Sequence, residues 1–393
     1  MKSALKWAIL LCLVSIGVHM YSTYNYYPVK LGIAQGESSC NINDTFSCDA
    51  VTTSSYSAFL GVPMSLWGAL THGALLLILL SVQLGFTENR ERWMRLAFAT
   101  TGFIALTSLV MAAIAFIAIG TLCPNCIGSY VLSFLLFFAV WKSLEEPFFS
   151  QFKSDLSQFG QGYWKDVLLI IGPVLISGFL VNQGVVGQMV PKNFDKIVEN
   201  SVQSWKANPA YTFDKEPALT KGNSEAKIVI TEFADFLCPH CKTAASTLKP
   251  FLLANKNRVK LNFYSFPLDG TCNDSIGSGS GKRCRLSAAV LCANEQGNGW
   301  PIHDDIFAAQ RDLMSMSITA VDDFLKGHAE NKGIDVDAFM GCLDKPETIE
   351  TLKSHAALGA NANVKGTPSI YINGKYLPGG QLTPVLDKAI NSL

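Results

Sequence analysis

Five apolar runs, each long enough to cross a lipid bilayer, fill most of the first half of the chain. A membrane-spanning helix needs about 20 predominantly apolar residues. The runs cover residues 4–24, 65–84, 96–119, 123–141 and 167–189. The pattern therefore predicts that residues 1–190 form a membrane-embedded, all-α bundle of five spans.

The first run also has features of a secretory signal peptide, because Lys2 and Lys6 precede its apolar core. No small-x-small cleavage site follows. The run ends instead in tyrosines, including Tyr21 and Tyr24, which suit the aromatic belt at a membrane interface. We therefore expect a retained helix rather than a cleaved peptide.

Basic residues in the short loops predict which way the bundle faces. They precede the first span, separate the second from the third, and separate the fourth from the fifth. The three groups are Lys2 and Lys6; Arg90, Arg92 and Arg95; and Lys142, Lys153 and Lys165. Positive residues favour the cytoplasmic side, so loop 41–64, turn 121–126 and everything after about residue 191 should lie outside. All cysteines except Cys12 would then share one oxidising aqueous side.

From residue 227 the pattern changes to that of an α/β domain. A strand-like run, "KIVITEFADF", precedes a helical run, a second strand, "VKLNFYSFPL", and mostly helical residues 284–358. A hairpin signal at Asn373-Gly374 and a closing helix follow. The predicted order is β-α-β, a helical insertion, then ββ-α, over residues 227–393. Residues 191–226 are predicted to be a polar linker with room for a short helix.

Composition agrees with this division. Hydrophobic residues make up 49% of the 393 residues and charged residues 16%, which favours a chain partly embedded in a membrane. Lys and Arg number 31, as do Asp and Glu, so the net charge says nothing about a nucleic-acid partner, and none is predicted. No metal is assigned either, because the following histidines form no cluster with the spacing of a metal site: His19, His72, His303, His328 and His355.

The sequence "CPHC" at 238–241 (the CPHC pair) carries the clearest chemistry. It opens a predicted helix, so Cys238 lies at a helix N-terminus, where unpaired N–H groups and the dipole favour the thiolate. Cys241 is close enough to form a disulfide with it, and His240 can stabilise the thiolate further. A stable thiolate makes the disulfide a stronger oxidant. The alternative, a zinc site, needs two more ligands, and no second CxxC or HxxxH lies nearby at finger spacing.

This region resembles the DsbA-like thiol oxidases of the thioredoxin superfamily. "CPHC" contains their dipeptide, a helical insertion divides the domain at the same place, and "GTPS" at 366–369 matches their cis-proline loop. The resemblance covers residues 227–393 and implies an α/β thioredoxin-like fold with a cis Pro368. It also implies that His240, Thr367 and Pro368 contact a substrate chain lying beside Cys238.

Two further cysteine pairs lie at the predicted outer face of the bundle. "CPNC" at 123–126 (the membrane pair) opens the fourth span, and Cys40 and Cys48 (the shuttle pair) lie in the loop before the second span. Alone, CPNC is also compatible with small residues at a helix end. Together with "SSYSAFLGVPMSLWG" and "CPNCIGSY", the pairs resemble the vitamin K epoxide reductase family over residues 1–190. Bacterial members of that family often carry a thioredoxin-like domain.

The resemblance implies a four-helix core that binds a quinone, ubiquinone or menaquinone, plus a fifth span that carries the partner domain outward. Cys123 and Cys126 would reduce the quinone, with Cys126 facing its ring. Cys40 and Cys48 would form a mobile disulfide that collects electrons from a soluble dithiol and delivers them to the buried pair.

Two other residues match quinone-pocket positions of the family. Ser54 follows Cys48 by six residues, and Tyr130 follows Cys126 by four. The alternatives are a helix cap for Ser54 and a core aromatic for Tyr130.

The remaining cysteines are expected to be structural. Cys272 and Cys284 flank a flexible loop and are expected to form a disulfide in the insertion. Cys292 and Cys342 lie on helical faces and are either two buried thiols or a helix–helix bridge, and we favour the bridge. Cys12 is expected to be inert within the membrane.

Together these features predict a thiol oxidase that forms disulfide bonds in exported proteins. Electrons would pass from the CPHC pair through the shuttle pair and the membrane pair to quinone. The expected location is the bacterial inner membrane, with the thioredoxin-like domain in the periplasm or outside. The alternatives are an outward-directed reductase or isomerase, a vitamin K epoxide or quinone reductase without client oxidation, and a metal-binding chaperone. A reductase would need a cytoplasmic thiol donor, and the predicted cytoplasmic loops contain no cysteine.

Overall fold

The structure, a computed structural model, describes residues 2–87, 89–145 and 164–393. Lys153, which contributed to the topology prediction, lies outside the described residues. The chain divides into two compact units. The first unit contains the described residues up to Tyr27 and those of Ser38–Lys192, and the second contains Pro28–Glu37 and Asn193–Leu393.

Five helices of the described chain are long and apolar enough to cross a membrane, which confirms the predicted five spans. The helices of the first half are α1 (Lys2–Leu31), the short α2 (Cys48–Thr53), α3 (Met64–Leu84), α4 (Arg90–Ile114), α5 (Pro124–Trp141) and α6 (Trp164–Met189). A π-helical turn, Ala115–Ile119, extends α4. All but α2 belong to the five helices that are long and apolar enough to cross a membrane.

Close packing joins the spans of the first unit. Helix α3 lies against α4 and α6, and α4 lies against α5. Leu75, Met94 and Leu136 are completely buried in the core between them. At Gly178 on α6, an added Cβ would lie 2.4 Å from the ring of Trp67 on α3. Glycine is therefore needed there for the close helix approach that is common in membranes.

The loop between α1 and α3 contains α2 and a small hairpin. Ser47 caps α2 by accepting a hydrogen bond from the N–H of Ala50, and this fixes where the helix that begins at Cys48 starts. The hairpin pairs β1 (Ala58–Phe59) with β2 (Val62–Pro63). Leu60 and Gly61 at its turn both have positive φ, 53° and 77°.

The second unit is built on one mixed sheet with strand order β3-β5-β4-β6-β7. The strands are β3 (Leu219–Gly222), β4 (Ile228–Ala234), β5 (Val259–Ser265), β6 (Ser369–Ile372) and β7 (Lys375–Tyr376). Strands β4 and β5 are parallel, and the other neighbours are antiparallel. The turn between β6 and β7 has positive φ at Asn373 (49°) and Gly374 (78°), so the predicted hairpin is confirmed.

Eight helices of the second unit follow the strands in the predicted order. Helix α8 (Pro239–Ala254) connects β4 to β5, and α15 (Thr383–Ile390) closes the chain. The helical insertion between β5 and β6 contains α9 (Lys282–Glu295), α10 (Gly299–Ala308), α11 (Gln310–Ser315), α12 (Ile318–Asn331), α13 (Val336–Leu343) and α14 (Pro346–Asn361). The predicted fold, a helical membrane bundle joined to an α/β thioredoxin-like domain with a helical insertion, is therefore confirmed.

Residues 191–226, predicted to be a polar linker with room for a short helix, contain such a helix. They contribute α7 (Phe194–Ala207) and the edge strand β3 to the second unit. Val198, Val202 and Trp205 lie on one face of α7 and are buried in the core beneath the sheet. Their spacing of four and three residues is that of an amphipathic helix. The residues between them are mostly charged or polar, so the average composition of the segment does not indicate a buried helix.

Candidate active site

Cys238 is the N-cap residue of α8, directly after the loop that leaves β4. Pro239 occupies the first helical position, where a missing N–H costs no hydrogen bond. Cys238 is half-buried, whereas Cys241 is completely buried one turn into the helix. Both are free thiols. The structure therefore has the CPHC pair in its reduced form, with one sulfur accessible and the other shielded.

Hydrogen bonds to the Cys238 sulfur lower the pKa of its thiol to about 5. The largest contribution is from the thiol of Cys241, followed by the side chain of Thr367 and the backbone N–H groups of Cys241 and His240, while partial burial opposes them. A pKa near 5 leaves the thiol almost fully ionised at neutral pH. Cys238 is therefore the sulfur of the pair that is ionised at neutral pH, and its role as the nucleophile stays a prediction.

Burial has the opposite effect on Cys241. Its pKa is raised well above the ordinary value of a thiol, first by desolvation and then by its hydrogen bond to Cys238. The backbone N–H of Asp235 lies 3.4 Å from its sulfur. Cys241 thus stays protonated beside the Cys238 thiolate, which is the arrangement of a resolving thiol.

The Thr367–Pro368 peptide bond, on the loop before β6, is cis. The Cys238 sulfur lies 3.2 Å from the carbonyl oxygen of Thr367. The buried Thr367 hydroxyl has no hydrogen-bond partner besides these sulfurs in the described part of the chain. His240, by contrast, is exposed. The structure brings Thr367 and Pro368 to the reactive sulfur, and their contact with a substrate chain stays a prediction.

Gln310, at the start of α11, is a site residue that the sequence analysis missed. Its side-chain amide donates hydrogen bonds to the carbonyl oxygens of Phe236 (2.8 Å) and Cys238 (2.9 Å), and Gln310 is itself buried. It holds the loop between β4 and α8 from the insertion, 72 residues along the chain from Cys238. No local pattern predicts such a contact, because Gln is ordinary in a helix.

Glu232, in the middle of β4, is a second residue that the sequence analysis missed. It is 2% exposed, and its Oε1 has no hydrogen-bond partner in the described part of the chain. Burial raises the pKa of its carboxyl to about 8. A signal was available, because an acidic residue within the strand pattern "VITEFADF" has no obvious solvent face.

In the first unit, the shuttle pair and the membrane pair are both disulfides. Cys40 and Cys48 have a Cα–Cα distance of 5.8 Å, and Cys123 and Cys126 one of 5.1 Å. The Sγ atoms of Cys48 and Cys123 are 3.6 Å apart. Cys48 is 7% exposed and Cys123 is 6% exposed, whereas Cys40 is half-buried. The two disulfides are therefore in contact through their buried sulfurs.

Backbone pairing aligns these sulfurs. The N–H of Ser47 donates to the carbonyl of Leu122 (2.8 Å), and the N–H of Leu122 donates to the carbonyl of Thr45 (2.8 Å). Cys48 directly follows segment 45–47, and Cys123 directly follows segment 121–122. The short ladder therefore brings the start of α2 beside the start of α5.

A buried carboxylate fixes the loop that contains the shuttle pair. Asp49, which is 2% exposed, accepts hydrogen bonds from the backbone N–H of Ser38 (2.9 Å), the Ser38 hydroxyl (2.5 Å) and the Asn41 amide (2.7 Å). The Asn41 Oδ1 in turn accepts from the Ser47 hydroxyl (3.1 Å) and the Asp49 N–H (3.2 Å). We call Ser38, Asn41, Ser47 and Asp49 the clasp. The clasp joins residues of the loop to one another, and it therefore fixes the shape in which Thr45 and Ser47 pair with Leu122 beside the membrane pair.

The two predicted quinone contacts differ in their surroundings. Ser54 is buried at the C-cap of α2, and its hydroxyl donates to the carbonyl of Val51 (2.7 Å). Tyr130 lies on α5 one turn after Cys126, is half-buried, and its hydroxyl has no hydrogen-bond partner among the described residues. The position of Ser54 agrees with the alternative in which it caps a helix. Quinone contacts for both residues stay predictions.

The other cysteines also have defined partners. Cys272 is bonded to Cys284 and Cys292 to Cys342, with Cα–Cα distances of 6.0 and 5.8 Å. All four are buried in the insertion. Cys12 is a buried free thiol that lies 3.1 Å from the carbonyl of His72. The roles of these residues as structural or inert stay predictions.

Comparisons with known proteins match both halves of the chain. The sequence model of the Vitamin K epoxide reductase family matches residues 6–141, and that of the DSBA-like thioredoxin domain matches residues 229–391. A relative named "Probable disulfide bond formation protein D" from Bacillus anthracis is 29% identical over 174 residues, 43% of this chain and 75% of the relative. Another, "Na(+)/H(+) antiporter NhaA 1" from Salinispora arenicola, is 25% identical over 180 residues, 46% of this chain but only 25% of the relative. The crystal structure of oxidised BdbD from Bacillus subtilis covers 47% of this chain and 96% of its own, at 20% identity and a TM-score of 0.40.

Proposed function

We propose that this multi-pass membrane thiol–disulfide oxidoreductase, which joins a vitamin K epoxide reductase family domain (residues 6–141) to a DSBA-like thioredoxin domain (residues 229–391), forms disulfide bonds in exported proteins and passes the electrons to a quinone. The observation that carries the proposal is the contact between the shuttle pair and the membrane pair, whose nearest sulfurs are 3.6 Å apart. Thiol–disulfide exchange needs such direct contact between sulfurs.

The first step oxidises the client protein. A client thiolate attacks the disulfide between Cys238 and Cys241, a mixed disulfide forms at Cys238, and a second client thiol displaces it. The client gains a disulfide and the CPHC pair gains two electrons and two protons. The low pKa of Cys238 supports this direction, because a stable thiolate favours the reduced form and makes the disulfide oxidising.

The second step passes the electrons to the shuttle pair. The Cys238 thiolate attacks one shuttle sulfur, and Cys241 then resolves the mixed disulfide, so the CPHC disulfide is restored. Cys40 is the more accessible sulfur, since it is half-buried while Cys48 is buried against Cys123. We therefore propose Cys40 as the entry point, the sulfur that the Cys238 thiolate attacks. The sequence alone did not distinguish Cys40 from Cys48 in this role.

The third step crosses into the membrane pair. The Cys48 thiolate attacks Cys123, the bond from Cys123 to Cys126 breaks, and Cys126 leaves as the thiolate. Cys40 then attacks Cys48, which restores the shuttle disulfide and releases the Cys123 thiol. Two electrons and two protons now reside on Cys123 and Cys126.

A quinone would accept those two electrons and two protons and leave as the hydroquinone. The residues near Cys126 fit such a group. Tyr130 lies one turn from Cys126 on α5, so the two side chains share a helix face. The Tyr130 hydroxyl, which lacks a partner in the described part of the chain, can donate a hydrogen bond to a carbonyl oxygen. We propose that Tyr130 orients the quinone and that Cys126 is the sulfur nearest its ring.

The orientation of the chain is part of the proposal. The excess of Lys and Arg in alternate loops favours a cytoplasmic location for those loops, so the three cysteine pairs and the thioredoxin-like domain would face the periplasm or the exterior. Bacterial export of unfolded clients to that side would supply the reduced cysteines. The same side is oxidising enough to keep the product disulfides.

Trapping tests the order of the relay. Cys241→Ser in the full chain removes the resolving sulfur, so a mixed disulfide between Cys238 and Cys40 should accumulate and be identified by peptide mass spectrometry without reduction. Cys241→Ser combined with Cys40→Ser is the matched control and should lose that species. A trapped link to Cys48 alone, or no link to the shuttle pair, would contradict the proposed entry point.

A cellular assay tests the direction of electron flow against the reductase and quinone-reductase alternatives. The chain is expressed in bacteria that lack their own thiol-oxidising system, and the disulfide content of an exported reporter is measured. The proposal predicts restored disulfides with the wild-type chain and none with Cys126→Ala. A reporter that stays reduced while the chain inserts normally and consumes quinone would favour the quinone reductase.

A further inference from the structure

Asp235, the first residue after β4, links a buried carboxylate to both thiols of the CPHC pair. Its side chain is completely buried. Its N–H lies 3.4 Å from the Cys241 sulfur, and its carbonyl accepts the N–H of Cys238 (3.1 Å). The carboxylate oxygens accept the N–H groups of Leu237 (2.8 Å) and Leu268 (2.8 Å). Asp235 therefore fixes the geometry of the active-site loop together with Gln310.

Arg283 supplies the charge that compensates this carboxylate. Its guanidinium forms an ion pair with Asp235, and the Arg283 side chain is half-buried. Arg283 lies in the first turn of α9, and the next residue, Cys284, is bonded to Cys272. The hydroxyl of Thr271 lies 2.9 Å from the Cys284 sulfur. The start of α9, and with it Arg283, is thus attached covalently to the loop that follows β5.

A second negative charge develops beside Asp235 whenever the CPHC pair is reduced. The pKa of Asp235 is raised, first by burial and also by the charge of Cys238, while Arg283 and the N–H groups of Leu268 and Leu237 oppose the rise. A carboxylate and a thiolate repel each other, and a like charge disfavours ionisation. Arg283 is the cation that pairs with Asp235, so it offsets this repulsion.

We propose that Arg283 is a positioning residue for the oxidase reaction: by pairing with Asp235 it lets Cys238 remain a thiolate, and the disulfide from Cys272 to Cys284 holds it there. The inference rests on the proposed function, because it concerns the oxidising strength of the same CPHC pair. It assigns the insertion disulfide a role in tuning the active site rather than in stability alone.

The proposal predicts opposite effects from the two halves of the ion pair. Arg283→Gln leaves the Asp235 carboxylate uncompensated, so the pKa of Cys238 should rise. Asp235→Asn leaves a cation without its anion near the thiolate, so the pKa of Cys238 should fall or stay constant. The double variant removes both charges and should return close to the wild-type value. A purely structural role predicts instead that each change disturbs the loop in the same direction.

The experiment measures alkylation of Cys238 against pH in the full chain, purified in detergent, with the modified peptide quantified by mass spectrometry. The background carries Cys40→Ser and Cys48→Ser, so that the membrane pair cannot reoxidise the CPHC pair. For Arg283→Gln the alkylation rate at pH 5 should fall about fivefold, as for a rise of about one pH unit in the midpoint. The equilibrium with glutathione should shift about tenfold toward the disulfide, or ~30 mV. Arg283→Lys should stay near wild type.

Arg285→Gln is the matched control, because Arg285 lies on the same turn of α9 but pairs with Asp322 and Asp344. It should leave the alkylation midpoint unchanged. Cys272→Ser with Cys284→Ser should raise the midpoint, and adding Arg283→Gln to that variant should produce little further change. An additive effect would overturn the role of the disulfide.

An unchanged midpoint in folded Arg283→Gln, or a rise in both Arg283→Gln and Asp235→Asn, would overturn the proposal. If Arg283→Gln does not fold, the other two variants decide. A raised alkylation midpoint in Asp235→Asn or in Arg283→Lys would then overturn the proposal. None of these readouts involves quinone or a client protein. A failed relay with the expected midpoints would therefore count against the proposed function alone.

Discussion

The clasp around the shuttle loop leads to a direct test of how electrons enter the membrane domain. Asp49 accepts three hydrogen bonds from Ser38 and Asn41. A hydrogen bond to a charged group contributes about 1.5–3 kcal/mol, although such values are not additive. Asp49→Ala should therefore destabilise the folded shape of the loop by about 3 kcal/mol, because the released donors become hydrated, and this lowers the equilibrium constant for that shape about a hundredfold.

The assay is an intramolecular cross-link. In a Cys40→Ala, Cys126→Ala variant only Cys48 and Cys123 remain of the two pairs, and their sulfurs are 3.6 Å apart. Small side-chain rotations are enough to bring them to bonding distance. Mild oxidation should therefore link Cys48 to Cys123 rapidly, and Asp49→Ala in the same background should lower the initial rate severalfold.

Asp44→Asn in the same background is the control. Asp44 is an acidic residue of the same loop, and its backbone carbonyl, which the change retains, accepts the Thr121 hydroxyl (3.4 Å). Its rate should match that of the parent. Failure of the parent variant to form the Cys48–Cys123 link would refute the contact itself. Equal rates for Asp49→Ala and the parent would refute the reasoning that the clasp holds the loop.

Further predictions concern the thiolate, the buried acid and the quinone contact. Alkylation of Cys238 should fall by only about a tenth between pH 8 and pH 6 and by half near pH 5, whereas an ordinary thiol would lose about a hundredfold over the first interval; a hundredfold loss would contradict the low pKa. The pKa of Glu232 is raised from 4.5 to about 8. The stability that Glu232 contributes is therefore fully present below pH 4.5 and is lost as the pH rises toward 8, and the loss reaches about 3 kcal/mol at pH 7. Thermal unfolding of Glu232→Gln should lack this loss between pH 5 and pH 8, and parallel pH profiles for the two proteins would count against it. Tyr130→Phe should raise the KM for quinone about fivefold, through one lost hydrogen bond, without slowing electron transfer from Cys238 to the shuttle pair; an unchanged KM in steady-state quinone reduction would remove Tyr130 from the quinone site.

Features that depend on neighbouring residues could be predicted from the sequence. The spans follow from apolar length, and the CPHC pair follows from a strand pattern that turns into a helix pattern at Cys238. The hairpin at Asn373 and Gly374 follows from residues that tolerate positive φ. In each case the physical cause lies within about ten residues, so a local pattern records it.

Features that depend on distant residues could not be predicted in this way. The contact between Cys48 and Cys123 joins residues 75 positions apart. The resemblance to a family assigned both pairs a role, but it did not say which sulfurs touch or that Asp49 holds the loop in place. The packing of α7 was missed for a related reason: its apolar face becomes visible only when the core that it covers is known.

The oxidising strength of the CPHC pair combines both kinds of information. A thiol at the start of α8 is favoured as the thiolate by local geometry alone, so the direction of the pKa shift could be predicted from the sequence. Its extent depends on groups from elsewhere, including Thr367 near the end of the chain and, by our inference, Arg283 in the insertion. The insertion also contributes Gln310, which fixes the carbonyl of Cys238. Chains that share "CPHC" but differ in these distant residues should therefore differ in redox equilibrium, because the motif sets the sign of the effect and the surrounding fold sets its size.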